Sequence, residues 1–334
     1  MKRILIRVAI VVFSAVALWR LGCVHAVVVG DGTGPTNFLG ARTKVVFRVV
    51  DDEGNPVPDA KVGTWFWLPW NDNNCFSGRT DANGCFTVRA TSVGEMGWSV
   101  ERYGYYKSRA TDALFTGRYL GGRIKFGRWQ PYGAVREVEL RRKKEPIPMR
   151  VSSQSETIGI PDVNKPFPFD AVEYDWLPPH GKGKIEDFSV SHYHDRGENH
   201  SRLEIIFPPH TGYYVVKKNH SEFQSPYYAD PQGEYLNRLV LQQKRALVIE
   251  QQYDTCDTCF ILRLRTKLDN TGKVMSCIYG KIYGPIKFEP SGVFKGGIIG
   301  YWQYLNMIPN DTNLEFDVKS NLRKYRDFPG PVRP

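Results

Sequence analysis

Two short phrases fix most of what the first third of this chain can fold into. The first runs from Asp51 to Val62 (D-D-E-G-N-P-V-P-D-A-K-V), and the second from Thr80 to Phe86 (T-D-A-N-G-C-F). Each gathers the acids, Asn, Gly and Pro that set tight turns, for distinct physical reasons: side-chain oxygens bond nearby backbone N–H groups, Gly reaches positive φ, and Pro fixes φ. Alternating apolar and polar residues flank both phrases, at Thr43 to Val50 and Ala60 to Leu68 and again at Ser77 to Thr80, Cys85 to Ala90, Gly97 to Tyr103 and Ala134 to Arg142. Period-two runs separated by turn chemistry are the signature of half-buried strands. The front of the chain is therefore expected to be a small β-sandwich.

The phrases D-x-x-G-x-P-V-x-x-A-x-V and T-D-x-x-G-x-F make residues 43–143 resemble the carboxypeptidase regulatory-like domain. The resemblance implies a seven-stranded, transthyretin-like Greek-key sandwich. It also implies a non-catalytic part that carries, spaces or docks other domains of exported proteins, because fold alone assigns no chemistry. Residues 111–133 depart from that pattern as an insertion with Arg118, Arg123, Lys125 and Arg128 among Tyr119, Phe126 and Trp129.

The N-terminus carries Lys2, Arg3 and Arg7, then an apolar run from Val8 to Trp19, then small residues around Val24-His25-Ala26. This is the layout of a secretory signal peptide over residues 1–26. An uncleaved membrane anchor is the alternative, and Leu21-Gly22-Cys23 offers a lipid-modified cysteine as a third reading. The formal charge of +10 includes Lys2, Arg3, Arg7 and Arg20 in that segment, which holds no acid, so its removal leaves +6. That excess favours anionic neighbours such as acidic polysaccharide or other envelope components. No nucleic-acid motif is present, and the expected location is extracytoplasmic: secreted, periplasmic or on the cell surface.

Residues 27–42 read as an N-terminal linker, and Lys143-Lys144-Glu145-Pro146-Ile147-Pro148 marks a seam whose residues 144–148 suit a stiff linker. Residues 149–320 read as a second β-rich domain, followed by a tail at 321–334, so the whole chain is expected to be all-β. The clearest rear strands are Lys184 to His194, Arg202 to Phe207, Gly212 to Val216, Phe260 to Leu268, Lys273 to Tyr283 and Gly297 to Asn306, with Asp269-Asn270-Thr271-Gly272 as a hairpin turn. Glu234 to Glu250 fits neither helix nor strand period. This half resembles the tail that accompanies such front domains in bacterial exported proteins of no assigned function.

Several constellations bear on chemistry. Arg118, Arg123 and Arg128 with Trp129 form a basic, aromatic loop that could grip an anion or a sugar by charge and stacking. A long connection whose aromatics cover a sheet edge would read the same way. Trp65 and Trp67 share one strand face and are expected in the core, whereas Trp70 lies among polar residues. His192 and His194 would project from one side of a strand, the start of a metal site, though no H-E-x-x-H spacing accompanies them and no cofactor is expected. Cys75 with Cys85, and Cys277 with Cys256 or Cys259, are candidate disulfides in an oxidising compartment, with one mature cysteine left over. A nucleophile elbow and a phosphate loop are both absent.

The expected function is accordingly an exported, non-catalytic β-protein of the cell envelope, a binding or structural module. A hydrolase or carbohydrate-active enzyme with its site in the rear, and a self-assembling surface component pairing through strand edges, are the rival readings.

Overall fold

The computed structural model describes residues 27–29, 35–37, 40–68, 74–113, 123–153, 156–195, 200–244, 248–251, 257–290, 294–322 and 334. Among them there are strands, turns and isolated bridges and no helix, so the chain is all-β. It divides into two compact units, Met1–Lys143 with His220–Glu222, and Lys144–Asn219 with Phe223–Pro334.

The front unit begins with a short hairpin, β1 (Val27–Val29) and β2 (Pro35–Asn37). The sandwich follows as β3 (Ala41–Asp51), β4 (Lys61–Phe66), β5 (Cys75–Arg79), β6 (Cys85–Ser92), β7 (Glu95–Glu101), β8 (Ser108–Ala113), β9 (Arg123–Lys125), β10 (Arg128–Gln130) and β11 (Ala134–Leu140). β3 is the hub of one sheet, paired antiparallel to β6 and parallel to β11 and β10. The other sheet runs β5-β4-β7-β8. Val45, Phe47, Val49, Val88, Val138 and Leu140 of the first sheet and Val62, Phe66, Met96, Trp98 and Val100 of the second fill one shared core. Each such side chain contributes about 1.5–3 kcal/mol by leaving water.

Both turn phrases act as clasps for this sandwich. The Asp51 Oδ1 accepts from the Glu53 and Asn55 backbone N–H groups at 3.0 and 2.8 Å, and Gly54 takes φ +83. The buried Thr80 hydroxyl accepts from Ala60 N (2.8 Å) and donates to Val57 O (2.7 Å), tying the second phrase to the first. Asp81 Oδ1 repeats the Asp51 pattern on Asn83 N and Cys85 N. At Gly84, φ is +71 and any Cβ would collide with the Val49 carbonyl, so only Gly fits.

Among the described residues the sandwich has nine strands where seven were expected, two of them the β9–β10 hairpin that part of the insertion forms around Phe126-Gly127. β3 starts at Ala41 and so takes in the last two residues of the expected linker. The free edge of β8 is extended by Ser221, with Arg109 N donating to His220 O and Glu222 N to Lys107 O.

The rear unit contains β12 (Ile147–Ser152), β13 (Ile158–Gly159), β14 (Pro166–Asp170), β15 (Asp175–Trp176), β16 (Phe188–Asp195), β17 (His200–Ile206), β18 (Gly212–Lys217), β19 (Arg238–Lys244), β20 (Val248–Gln251), β21 (Thr258–Leu268), β22 (Val274–Glu289), β23 (Ile298–Leu305) and β24 (Phe316–Asn321). They form one sheet ordered β18-β21-β22-β23-β12-β24, with β13 on β23, and another ordered β15-β14-β16-β17-β19-β20. The first sheet is covered on both faces. Phe260, Leu262, Leu264, Ile278 and Ile282 join the core shared with the second sheet, while Cys259, Ile261, Cys277, Tyr279 and Tyr283 point the other way into a separate cluster. The ambiguous segment is two strands, β19 and β20, and the Asp269 turn is a hairpin as expected.

The seam is not a free linker. Ile147 opens β12 and donates its N–H to Glu315 O at 2.8 Å, while Lys144 N and Glu145 N donate to the Glu315 carboxylate. A register shift between Ile147 and Met149 accommodates Pro148, which has no N–H to give to a ladder.

Candidate ligand-binding face

The outer face of the β5-β4-β7-β8 sheet brings a charged cleft and two exposed tryptophans together. Alternation along β4 sends Val62, Thr64 and Phe66 inward and leaves Lys61, Gly63, Trp65 and, just beyond the strand, Trp67 outward. The registers place Arg79 and Glu101 opposite Lys61, Ser77 and Ser99 opposite Gly63, and Cys75 and Gly97 opposite Trp65.

At one end of this face lies an open cleft of about 530 Å³ lined by Asp59, Lys61, Arg79, Glu101, Arg102, Tyr103, Tyr105, Lys107, Lys143 and Glu222. Five cations face three carboxylates there. Asp59 sits at φ +58, where its carboxylate takes Arg79 Nη1 on one oxygen at 3.0 Å and Arg102 Nη1 on the other, and its backbone carbonyl accepts from both arginines. Glu101 bridges Lys61 Nζ at 3.0 Å and Lys107 Nζ at 3.6 Å. The hydrogen bond from Arg102 holds the Asp59 carboxyl below its usual range, with Arg79 adding to it. The hydrogen bond from Lys61 does the same for Glu101, helped by Lys107. Tyr103 stands at the rim, 99% exposed.

At the other end, Trp65 and Trp67 are 40% and 50% exposed. The Trp65 indole lies so close over Gly97 that a Cβ there would overlap its ring, so the glycine is what lets the ring lie against the sheet. Gly63, Ser77 and Ser99 separate this aromatic end from the cleft and raise no bulk between them.

The expected binding loop is corrected at Trp129. Trp129 is 5% exposed, sits in the sandwich core and donates its Nε1–H to Ser92 O at 2.9 Å, so its ring is unavailable for stacking on a ligand. Arg128 is exposed with its guanidinium 4.9 Å from the centre of the Tyr132 ring. Arg123 lies on β9, and Arg118 lies outside the described residues, as does Trp70. Trp65 and Trp67 do share a strand face, but it is the outer one. The signal was the parity of the strand: Val62, Phe66 and Leu68 claim the core, and the tryptophans fall on the side of Lys61 and Gly63.

The expected disulfides are likewise corrected. Cys75, Cys85, Cys259 and Cys277 are free. Cys75 pairs across from Trp65 in one sheet, whereas Cys85 pairs across from Arg48 in the other. Cys259 lies opposite Tyr283, six positions along β22 from Cys277, a separation of about 20 Å that no disulfide spans. Cys256 lies outside the described residues.

His192 and His194 do project together from β16, with ring centres 6.0 Å apart. His192 is buried with Nδ1 2.7 Å from Gly296 O, and desolvation pulls its pKa down, so this ring is neutral with the proton on Nδ1. His194 Nδ1 is 2.9 Å from Ser201 Oγ. Among the described residues no three His, Cys, Asp or Glu side chains gather as a metal centre would need.

Fold and face together define an all-β protein with an open, charged and aromatic sheet surface. No family model matches the sequence, and no curated protein matches it. Among solved structures, 3-chlorocatechol 1,2-dioxygenase from Rhodococcus opacus 1CP aligns at 17% identity and TM-score 0.26, over 36% of this chain and 65% of that one. Wild-type catechol 1,2-dioxygenase from Acinetobacter radioresistens aligns at 16% and 0.25, over 32% and 53%. Hydroxyquinol 1,2-dioxygenase from Pseudomonas putida DLL-E4 aligns at 17% and 0.24, over 31% and 57%. The chain spans less than two thirds of each of these proteins, and likeness at such TM-scores carries no argument about fold or chemistry.

Proposed function

We propose that this chain is an exported, non-catalytic binding module of the cell envelope, and that the charged cleft of the front unit is where it takes hold of an anionic partner. The observation that carries the reading is the composition of the cleft: Lys61, Arg79, Arg102, Lys107 and Lys143 outnumber Asp59, Glu101 and Glu222 on an open surface. A surplus of cations in a concave site attracts anions and speeds their arrival. Asp59 and Glu101 are held ionised, which suits hydrogen-bond acceptance and is the opposite of what a general acid needs. The basic leader of Lys2, Arg3 and Arg7 followed by Val8 to Trp19 supports export. The front unit is read as a carboxypeptidase regulatory-like sandwich, a reading supported by the clasping role of Asp51, Gly54, Thr80, Asp81 and Gly84, the residues that carry the resemblance.

Retention of the full chain on heparin-agarose at rising salt tests this. Replacing Lys61, Arg79 and Lys107 together by Gln is expected to move elution to clearly lower salt. Elution at the wild-type position would sink the reading.

A further inference from the structure

Resting on that reading, we infer that the partner is an unbranched acidic polysaccharide, laid along β4 from Trp67 to the charged cleft. Three features of the outer face select this chemistry together. Trp65 and Trp67 lie about 7 Å apart on one strand face, both half-exposed, and present apolar rings to solvent. The C–H face of a pyranose packs on such a ring while its hydroxyls stay wet, the use to which amphipathic aromatics are suited. From Trp67 to Lys61 the strand runs about 20 Å, long enough for several consecutive sugars and too long for a small anion. Gly63, Ser77 and Ser99 keep the floor between the two ends low, so a chain can pass without a barrier.

The cleft then decides the charge of the ligand. Its cations outnumber its carboxylates by only two, and Asp59 and Glu101 remain as ionised acceptors among them. A phosphodiester chain draws its affinity from many phosphate contacts and offers few hydroxyl donors, so it would leave Asp59 and Glu101 without hydrogen bonds from the ligand. A uronate chain brings one carboxylate per sugar for Lys61, Arg79, Arg102 or Lys107, and hydroxyl donors for Asp59 and Glu101. The face matches both halves of that chemistry.

Affinity electrophoresis of the full chain through gels containing polygalacturonate, dextran or polyphosphate tests the inference, with unfolding midpoints confirming that each variant is folded. Polygalacturonate is expected to retard the protein and dextran to leave it unretarded. Trp65→Ala with Trp67→Ala should weaken retardation by about tenfold in apparent affinity. Trp67→Tyr should retain most of it, and Lys61→Gln with Arg79→Gln should weaken it in a salt-dependent way. Unchanged retardation after loss of both tryptophans overturns the inference, as does equal retardation by dextran or displacement by oligo(dT) at equal charge. Retardation by polyphosphate alone, lost in the Lys61/Arg79 variant, overturns the saccharide while leaving the anion-binding cleft in place. Retardation by none of the three polymers overturns the proposed function as well.

Discussion

Each unit clusters its charges, and the two clusters differ in how far water reaches them. In the front unit the Asp59 and Glu101 pairs are open to solvent, with side-chain exposures of 34–61%. In the rear unit Arg265 reaches across to two carboxylates that water scarcely touches, donating to Asp187 Oδ1 at 3.0 Å and Asp170 Oδ1 at 2.7 Å. Asp170 also accepts from the backbone N–H of Val172 and Glu173 on one oxygen and of Lys184 and Ile185 on the other. Lys281 makes the same point. It is fully buried, donates to the Tyr283 hydroxyl at 2.7 Å and lies within 5.0 Å of the Phe223, Tyr283 and Tyr304 ring centres. Exposed pairs add little to stability and stay available to a ligand, whereas buried ones are committed to the fold.

The comparison breaks if the rear cluster proves dispensable. Arg265→Met leaves two buried carboxylates without their cation, and the expected loss is about 3–5 kcal/mol of unfolding free energy in a urea titration. A loss within experimental scatter would mean that Arg265 holds nothing together.

Acid separates the two rear carboxylates from each other, because they respond with opposite sign. Burial alone would raise Asp170, but the Glu173, Lys184 and Ile185 amides and the Arg265 charge bring it below its ordinary value. Its stabilisation is thus present above the unfolded-state pKa and lost as pH falls through the lower folded one. Asp187 is raised by burial, against the pull of Arg265, so its contribution is present at low pH and is lost as pH rises through the folded value. Urea midpoints of Asp170→Asn should therefore fall less steeply than wild type below about pH 4. Parallel curves would contradict the assignment.

Why the front cluster and its lane escaped the sequence reading is itself physical. Turn chemistry is local, so Asp51 to Val62 and Thr80 to Phe86 announced their clasps without any knowledge of the fold. Strand existence in the rear was legible for the same reason, and the continuous apolar run of β21 follows from burial on both faces of its sheet. Which side of a strand meets the core is a tertiary fact. A pair of tryptophans looks like core until Val62, Phe66 and Leu68 are seen to occupy it already, and Trp129 looks like a ligand platform until β10, paired beside β3, is seen to turn it into the core. The cleft was least legible, because Lys61, Arg79 and Glu101 come from separate segments joined only by register.

Within the front unit one buried polar group that holds the sandwich together is the hydroxyl of Thr80. Thr80→Val keeps the shape but leaves the Ala60 N–H and the Val57 carbonyl without their partner, at an expected cost of about 1–3 kcal/mol by chemical denaturation. A neutral result would remove the clasp from the account of the sandwich.

The smallest effect is the most telling for function. A double-mutant cycle on Lys61→Gln and Glu101→Gln should give a coupling energy below about 1 kcal/mol, since both side chains are about half exposed and hydrated when apart. The same two substitutions should each weaken polygalacturonate retardation: losing Lys61 removes a cation that meets the uronate carboxylates, and losing the Glu101 charge weakens the acceptor that meets the sugar hydroxyls. Little coupling in stability together with weaker binding from each substitution is what an exposed cluster kept for a partner requires. Strong coupling in stability would place Glu101 and Lys61 with Arg265, as part of the fold.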